Sequence, residues 1–530
     1  MRWLLPLMVA ILLLCCVQEE RPETPLPTTP TISQTTPEKT PTTPKYEDRK
    51  LVETTPVREP EKIPKEYLLQ LKPWKLIKGT EKSDYYTIEI PRRPAVEKVF
   101  NVSANLKKEI STPLIEDLIY IFDNYTVYAY KEELVWSLNI YERFEKEIRS
   151  YGLGDHLYIG TTSSKKGFSL IAIDKENGKI VWHREINIAG GVSALIVGDL
   201  ICVGTDYLDP RVMCFTKDGE MKWNTMLSGT INGFAMGNGK LFVSANKLYA
   251  FDLQSGKRLW EVDKDYSAPL FKSGMVFVSK QGYIYAFSED GKELWKKYFG
   301  SGEDSNYNPF LSASNYELFI PRILVDKPLE PLELQVSDFK GNLIGVFKLS
   351  SNEIPGAPVV SDQVVVLPVK TDTYGKIYIL WRGLEKLFEL KQEGKEVLMP
   401  KVAVSKGKIY VIFSDKSSQK LYILGDSKKP EIVEINIKTE GRELNISAIV
   451  KDPESAIYRV SLAIFSNGKW SYKDMDLGRR YVREPIGGYG LSEELFFTRI
   501  RVEETVEFYV IAIDNSNNYA YSKVYAYKLT

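Results

Sequence analysis

The dominant pattern in this chain is a recurring couplet: a short apolar run, a turn that usually contains Gly, and a second short run that closes on Trp. It reads LIAIDKENGKIVW from Leu170 to Trp182, VMCFTKDGEMKW from Val212 to Trp223, LYAFDLQSGKRLW from Leu248 to Trp260 and IYAFSEDGKELW from Ile284 to Trp295. A shorter copy, VYAYKEELVW, runs from Val127 to Trp136. Another apolar run precedes each copy, starting at Leu118, Leu157, Leu200, Leu241 and Met275. Runs of this length, rich in β-branched and aromatic residues and bounded by turn residues, predict strands joined as hairpins. Gly178, Gly219, Gly256, Gly291 and Gly341 fall in such turns, where a positive φ is expected.

Successive tryptophans of this series stand 35 to 46 residues apart. That is the length of a four-stranded wedge, which buries both faces only when neighbours stack on either side. Three degenerate copies continue at Glu317 to Phe347, Val364 to Phe388 and Ile409 to Gly425. The expectation is therefore an all-β chain with an eight-bladed β-propeller. The last copy lacks its outer strand, and an open ring would leave two unpaired edges. Lys98 to Ala104, KVFNVSA, is expected to supply the missing strand.

The couplet resembles the PQQ-type propeller repeat, written YALDaxTGkxxW, over about Val99 to Gly425. The resemblance implies that Trp136, Trp182, Trp223, Trp260 and Trp295 dock between adjacent blades, which suits side chains that bury so much area. From about Lys429 the period changes to alternating strands separated by turn clusters, the pattern of a small β-sandwich. This stretch is similar to immunoglobulin-like or fibronectin-III-like modules. Asp452 and Asp514 sit at its strand ends, where Asp commonly binds its own turn; a contribution to a Ca²⁺ site is the alternative, though no ladder of acidic ligands at alternate positions accompanies them.

Ahead of the repeats, residues 1–18 read as an export signal: Arg2, an apolar stretch, then Cys15-Cys16. Leu13-Leu14-Cys15-Cys16 resembles a lipobox, with Cys16 (or Cys15) as the lipid-bearing residue. Residues 19–84 are crowded with Pro and Thr in their first two thirds and predict a disordered stalk or linker. The predicted order is thus signal 1–18, stalk 19–84, propeller 85–428 and sandwich 429–530.

Lys plus Arg equals Asp plus Glu, so the balance of charge offers no footprint for nucleic acid. Of the two histidines, His156 opens an apolar strand and His183 directly follows a repeat Trp, so both read as structural and no other His is available for a metal cluster or a Ser-His-Asp relay. The repeat family includes quinoprotein dehydrogenases, which the resemblance implies would carry adjacent cysteines beside a quinone and Ca²⁺. The adjacent pair here is Cys15-Cys16, in the signal, and there is no haem-attachment CxxCH motif. No catalytic, cofactor-binding or metal-ligating residue is assigned.

Cys202 and Cys214 lie on two strands of one hairpin and would face each other if its turn centres near Leu208; a disulfide and a pair of buried thiols are both compatible with that placement. Asn101, Asn124 and Asn445 open N-glycosylation sequons. The loops that join the second and third strands of a blade, or one blade to the next, form the candidate binding face, with Tyr207, Arg211, Tyr307, Phe310 and Arg322 as anchor types. The resulting expectation is a non-catalytic, lipid-anchored protein on the extracytoplasmic side of the cell membrane, binding a surface protein or a glycan. A PQQ-dependent dehydrogenase and a carbohydrate-binding protein are the alternatives.

Overall fold

The computed structural model describes residues 50–69, 73–87, 90–102, 111–163, 167–188, 190–300, 310–322, 332–350, 352–452, 454–455, 457–466, 468–482 and 492–530. Seven antiparallel sheets follow one another along the chain, over residues 114–139, 147–186, 192–226, 233–262, 270–298, 312–348 and 354–393. Each has four strands in chain order, except that two short pieces share the first position of the seventh. The eighth joins Lys401–Ser405, Lys408–Ser414 and Gln419–Gly425 to Ala95–Asn101, which comes from far earlier in the chain.

Burial explains the strand patterns. Phe168–Ile173, a third strand, is buried at every position, as a strand covered on both faces must be. Glu293–Tyr298, a fourth strand, is exposed or half-exposed along its length, so that only its Trp and a few neighbours turn inward. One apolar core holds Leu114, Ile121 and Leu157 of the first two sheets together with Val366, Ile377, Val411 and Leu421 of the last two. The series therefore closes on itself as a ring.

The closing strand is Ala95–Asn101, with Ala95 opposite Gly425, Val99 opposite Tyr422 and Asn101 opposite Lys420. This corrects the expectation of Lys98 to Ala104 by three residues; Ala104 lies outside the described residues. Pairing ends where Gln419–Gly425 ends, so the partner's length sets the boundary rather than the apolar run.

Beyond the ring, residues 431–529 build two further sheets that share one core of Leu444, Ile446, Val460, Leu462, Phe508 and Val510. The larger sheet takes Leu51–Thr54 as an edge strand beside Tyr525–Leu529. A stalk running to residue 84 is accordingly corrected. Residues from Lys50 onward are folded: Arg58 pairs with Glu507 at 2.9 Å and covers the Phe465 ring, Ile63 is buried, and Asn517 brackets Leu69 through both its backbone groups. The Pro/Thr-rich composition runs on to Pro64, but Leu51, Ile63, Leu69 and Trp74 supply the apolar anchors that a disordered segment lacks.

Candidate functional site

The first strand of every sheet presents an unpaired edge toward the ring's axis, and such edges carry backbone donors and acceptors that need partners. Residues 73–87 provide them on six of the eight sheets. Trp74 exchanges two backbone hydrogen bonds with Ile115 of the first sheet, each 2.8 Å, and the Lys75 carbonyl accepts from Leu153 of the second. The Glu81, Lys82, Asp84 and Tyr85 carbonyls accept in turn from Met236, Phe271, Ala313 and Val360, on sheets four to seven. Leu76 packs with Val197 of the third sheet, and Val404 of the eighth lines a cavity beside Trp74. The segment thus circles the inner wall as an axial strap.

Side chains fasten the strap. Asp84 and Lys272, both buried, form an ion pair at 3.0 Å, and the Lys272 ammonium also lies 3.6 Å from the Tyr86 ring centre. The Tyr86 hydroxyl donates to Asp362 and accepts from Asn315. Burial lowers the pKa of Lys272, and the Asp84 charge opposes that shift.

Besides the cavity beside Trp74, two others flank the strap. One, of about 430 Å³, is lined by Lys75, Glu81 and the turns around Asp155, Asp199 and Asn238. The other, of about 650 Å³, opens among the links between sheets and is lined by Lys78, Ser83, Asn232, Asp265, Lys280 and Phe310. Lys78 is enclosed by protein yet keeps part of its surface open to this cavity, and burial brings its ammonium down to about 8. The cavity joins two cationic tips, a carboxylate and two amides, from Asn232 and Gln281, beside the Phe310 ring. Such groups suit contact with a polar ligand.

Phe310, anticipated as an anchor, thus lies on the wall of the larger cavity and is exposed. Tyr207 stands out at 71% exposure on a loop of the same class. Arg211 is held by Asp209 at 2.7 Å, and Arg322 bridges Glu333 and the Gly300 carbonyl; both guanidiniums are thus already engaged. Tyr307, Cys15 and Cys16 lie outside the described residues.

The repeat tryptophans make one contact five times. The Trp136, Trp182, Trp223, Trp260 and Trp295 indoles each donate to a turn carbonyl of the next sheet, from Lys175, Lys217, Leu253, Glu289 and Phe339, at 2.8 to 3.1 Å. Each ring also lies against the turn glycine. At Gly256, with φ of +70°, a Cβ would fall 2.5 Å from the Trp223 ring. Cys202 and Cys214 are direct partners across their two strands, joined as a disulfide with Cα atoms 4.1 Å apart. His156 packs on Tyr158 and His183 on Phe144. Asn101 is exposed, Asn124 is half-buried, and the Asn445 amide oxygen accepts from Arg499.

The strap was not legible as a functional element in the sequence, because it has no repeat and no strand periodicity. Its signal was Trp74, an isolated large aromatic between the stalk composition and the first couplet.

Residues 165–269 and 211–319 match a family model described as outer membrane protein assembly factor BamB. Among solved structures, BamB from Moraxella catarrhalis is 14% identical, with 63% of this chain and 100% of that one covered at a TM-score of 0.48. A quinohemoprotein alcohol dehydrogenase of Pseudomonas putida HK5 is 12% identical, with 69% and 83% covered at 0.49. Saccharomyces cerevisiae Sqt1 is 12% identical, with 64% and 100% covered at 0.47. No curated protein matches the chain.

Proposed function

With a PQQ-type β-propeller as its body, this chain, we propose, is a non-catalytic binding or scaffold protein that engages a protein partner through the loop face around Tyr207 and Phe310. The observation that carries this reading is the axial strap. Residues 73–87 occupy the inner edges of the ring, the space in which an axial cofactor would have to sit. Against a quinone there, the inner edges of six sheets are engaged by the chain's own backbone, and the described cysteines are tied together in the third sheet. What stays open is a polar face with an exposed tyrosine and phenylalanine, the residue types that anchor protein interfaces.

The reading extends to location. The sequence of residues 1–18 favours export and lipid attachment at Cys16 (or Cys15), and the matching family model is described as an outer-membrane assembly factor. No helix among the described residues is long and apolar enough to cross a membrane. In this reading eight blades form the ring, and an immunoglobulin-like module follows it.

The test places a photo-crosslinking amino acid at Tyr207 or Phe310 of the full chain in intact cells. A reproducible protein neighbour captured from these positions and not from Met221, exposed on an outer strand, supports the proposal. Capture of glycan alone, or dye reduction that appears on adding PQQ at constant Ca²⁺, overturns it.

A further inference from the structure

Three aspartates far apart in sequence meet where the ring adjoins the C-terminal sheets. Asp426 follows the last strand of the ring, Asp452 follows Glu443–Lys451, and Asp514 ends Thr505–Asp514. One carboxylate oxygen from each lies within 4.8 Å of the others. The side chains are buried, with exposures of 7%, 5% and 0%.

The two oxygens of each carboxylate do different work. One oxygen of Asp452 accepts from the Glu454 and Ser455 amides, one of Asp514 from the Ser516 and Asn518 amides, and one of Asp426 from the Lys428 amide. These bonds fix the three turns. The second oxygen of Asp514 receives the Asn518 side-chain amide at 2.9 Å. The second oxygens of Asp426 and Asp452 are buried and receive no donor among the described residues. The Ser455 hydroxyl, 1% exposed, stands beside Asp426, near enough to favour its charged form but without a well-aligned hydrogen bond.

Buried anionic oxygens without donors are costly. The positive groups at hand are Arg92, near Asp452, and Lys428, which is 2.7 Å from Glu454 and so is already matched by a fourth carboxylate. Burial pushes Asp426 up to about 8 and Asp514 up to about 7, and raises Asp452 as well. All the converging atoms are hard oxygens, with no sulfur or imidazole. Their spread matches the span across one Ca²⁺, whose oxygen ligands lie at about 2.3–2.6 Å.

We propose that Asp426, Asp452 and Asp514, with the Ser455 hydroxyl, form a Ca²⁺ site that ties the end of the ring to the C-terminal sheets. The Asp426 and Asp452 oxygens that lack donors become ligands, and water completes the shell. The role is structural and independent of the loop face.

The test uses the full chain, stripped with EDTA and returned to Ca²⁺. About one Ca²⁺ per chain by elemental analysis, a higher melting temperature with Ca²⁺, and Tb³⁺ luminescence displaced by Ca²⁺ support the site. Asp452→Asn and Asp514→Asn should each weaken Ca²⁺ binding about tenfold or more, and the Tb³⁺ measurement on the unaltered chain stands even if a variant fails to fold. Melting curves that coincide with and without EDTA, together with no retained metal, overturn the proposal. So does Ca²⁺ binding that persists at full strength in a folded variant carrying both substitutions.

Discussion

The Lys272 ammonium lies 3.0 Å from the Asp84 carboxylate, and neither group reaches solvent appreciably. Asp84 belongs to the strap and Lys272 to the fifth sheet, so the pair fixes the strap's angular position in the ring. Breaking a buried pair by removing one member leaves an uncompensated charge, at about 3–5 kcal/mol. Lys272→Met is expected to lower stability by about that amount in a denaturant titration. The double variant Lys272→Met/Asp84→Leu should recover most of the loss, because neither charge is then stranded. Equal destabilisation in both variants would mean that the pair does not hold the strap.

Gly256 and Gly239 separate two effects that glycine turns usually mix. Both have φ near +70°, but only at Gly256 would a Cβ meet the Trp223 ring; nothing lies within 4 Å of one at Gly239. Gly239→Ala should cost about 1–2 kcal/mol, the left-handed backbone penalty alone. Gly256→Ala should cost about 1–3 kcal/mol more, from overpacking the seam. Similar midpoints for the two variants would remove the tryptophan seam from the argument.

Lys78 gives a pH signature. Its folded pKa is about 8 against a reference of 10.5, so between those values the folded state holds fewer protons than the unfolded chain. This contribution to stability therefore rises as pH climbs through that window. Lys78→Met should stabilise the protein at pH 7 by about 2 kcal/mol, allowing for water in the cavity. The advantage should shrink toward zero by about pH 10.5, as read from paired melting curves. An advantage that does not change with pH would show that Lys78 is ordinarily solvated.

Cys202 and Cys214 should resist alkylation when the protein is unfolded without reductant and each take one label after reduction. Mass mapping of the peptide that spans both reports this directly. Labelling of both without reductant would leave them as free thiols.

The ring was legible because its signal is local and repeated. Four couplets carry both a turn glycine and a Trp, and the Cys202–Cys214 register follows from a hairpin centred near Leu208. What escaped was contact across distance without periodicity. The strap satisfies inner-edge backbone groups, and any sequence that can lie extended with a few apolar anchors serves that purpose. Leu51–Thr54 pairs with residues at the far end of the chain, and no composition window sees both. The acidic cluster was half visible: Asp452 and Asp514 were recognisable as turn formers, and they are. Their convergence with Asp426 depends on how the ring meets the C-terminal sheets, which no spacing encodes.

The strand Ala95–Asn101 has its partner, Gln419–Gly425, on the far side of seven complete sheets. A nascent molecule therefore carries an orphan ribbon from early in synthesis until nearly the whole torus has been made, and the clasp snaps shut only then. Bringing together such distant segments is slow relative to hairpin growth. During that delay the waiting ribbon and the edge it will cover are the most adhesive surfaces the polypeptide displays.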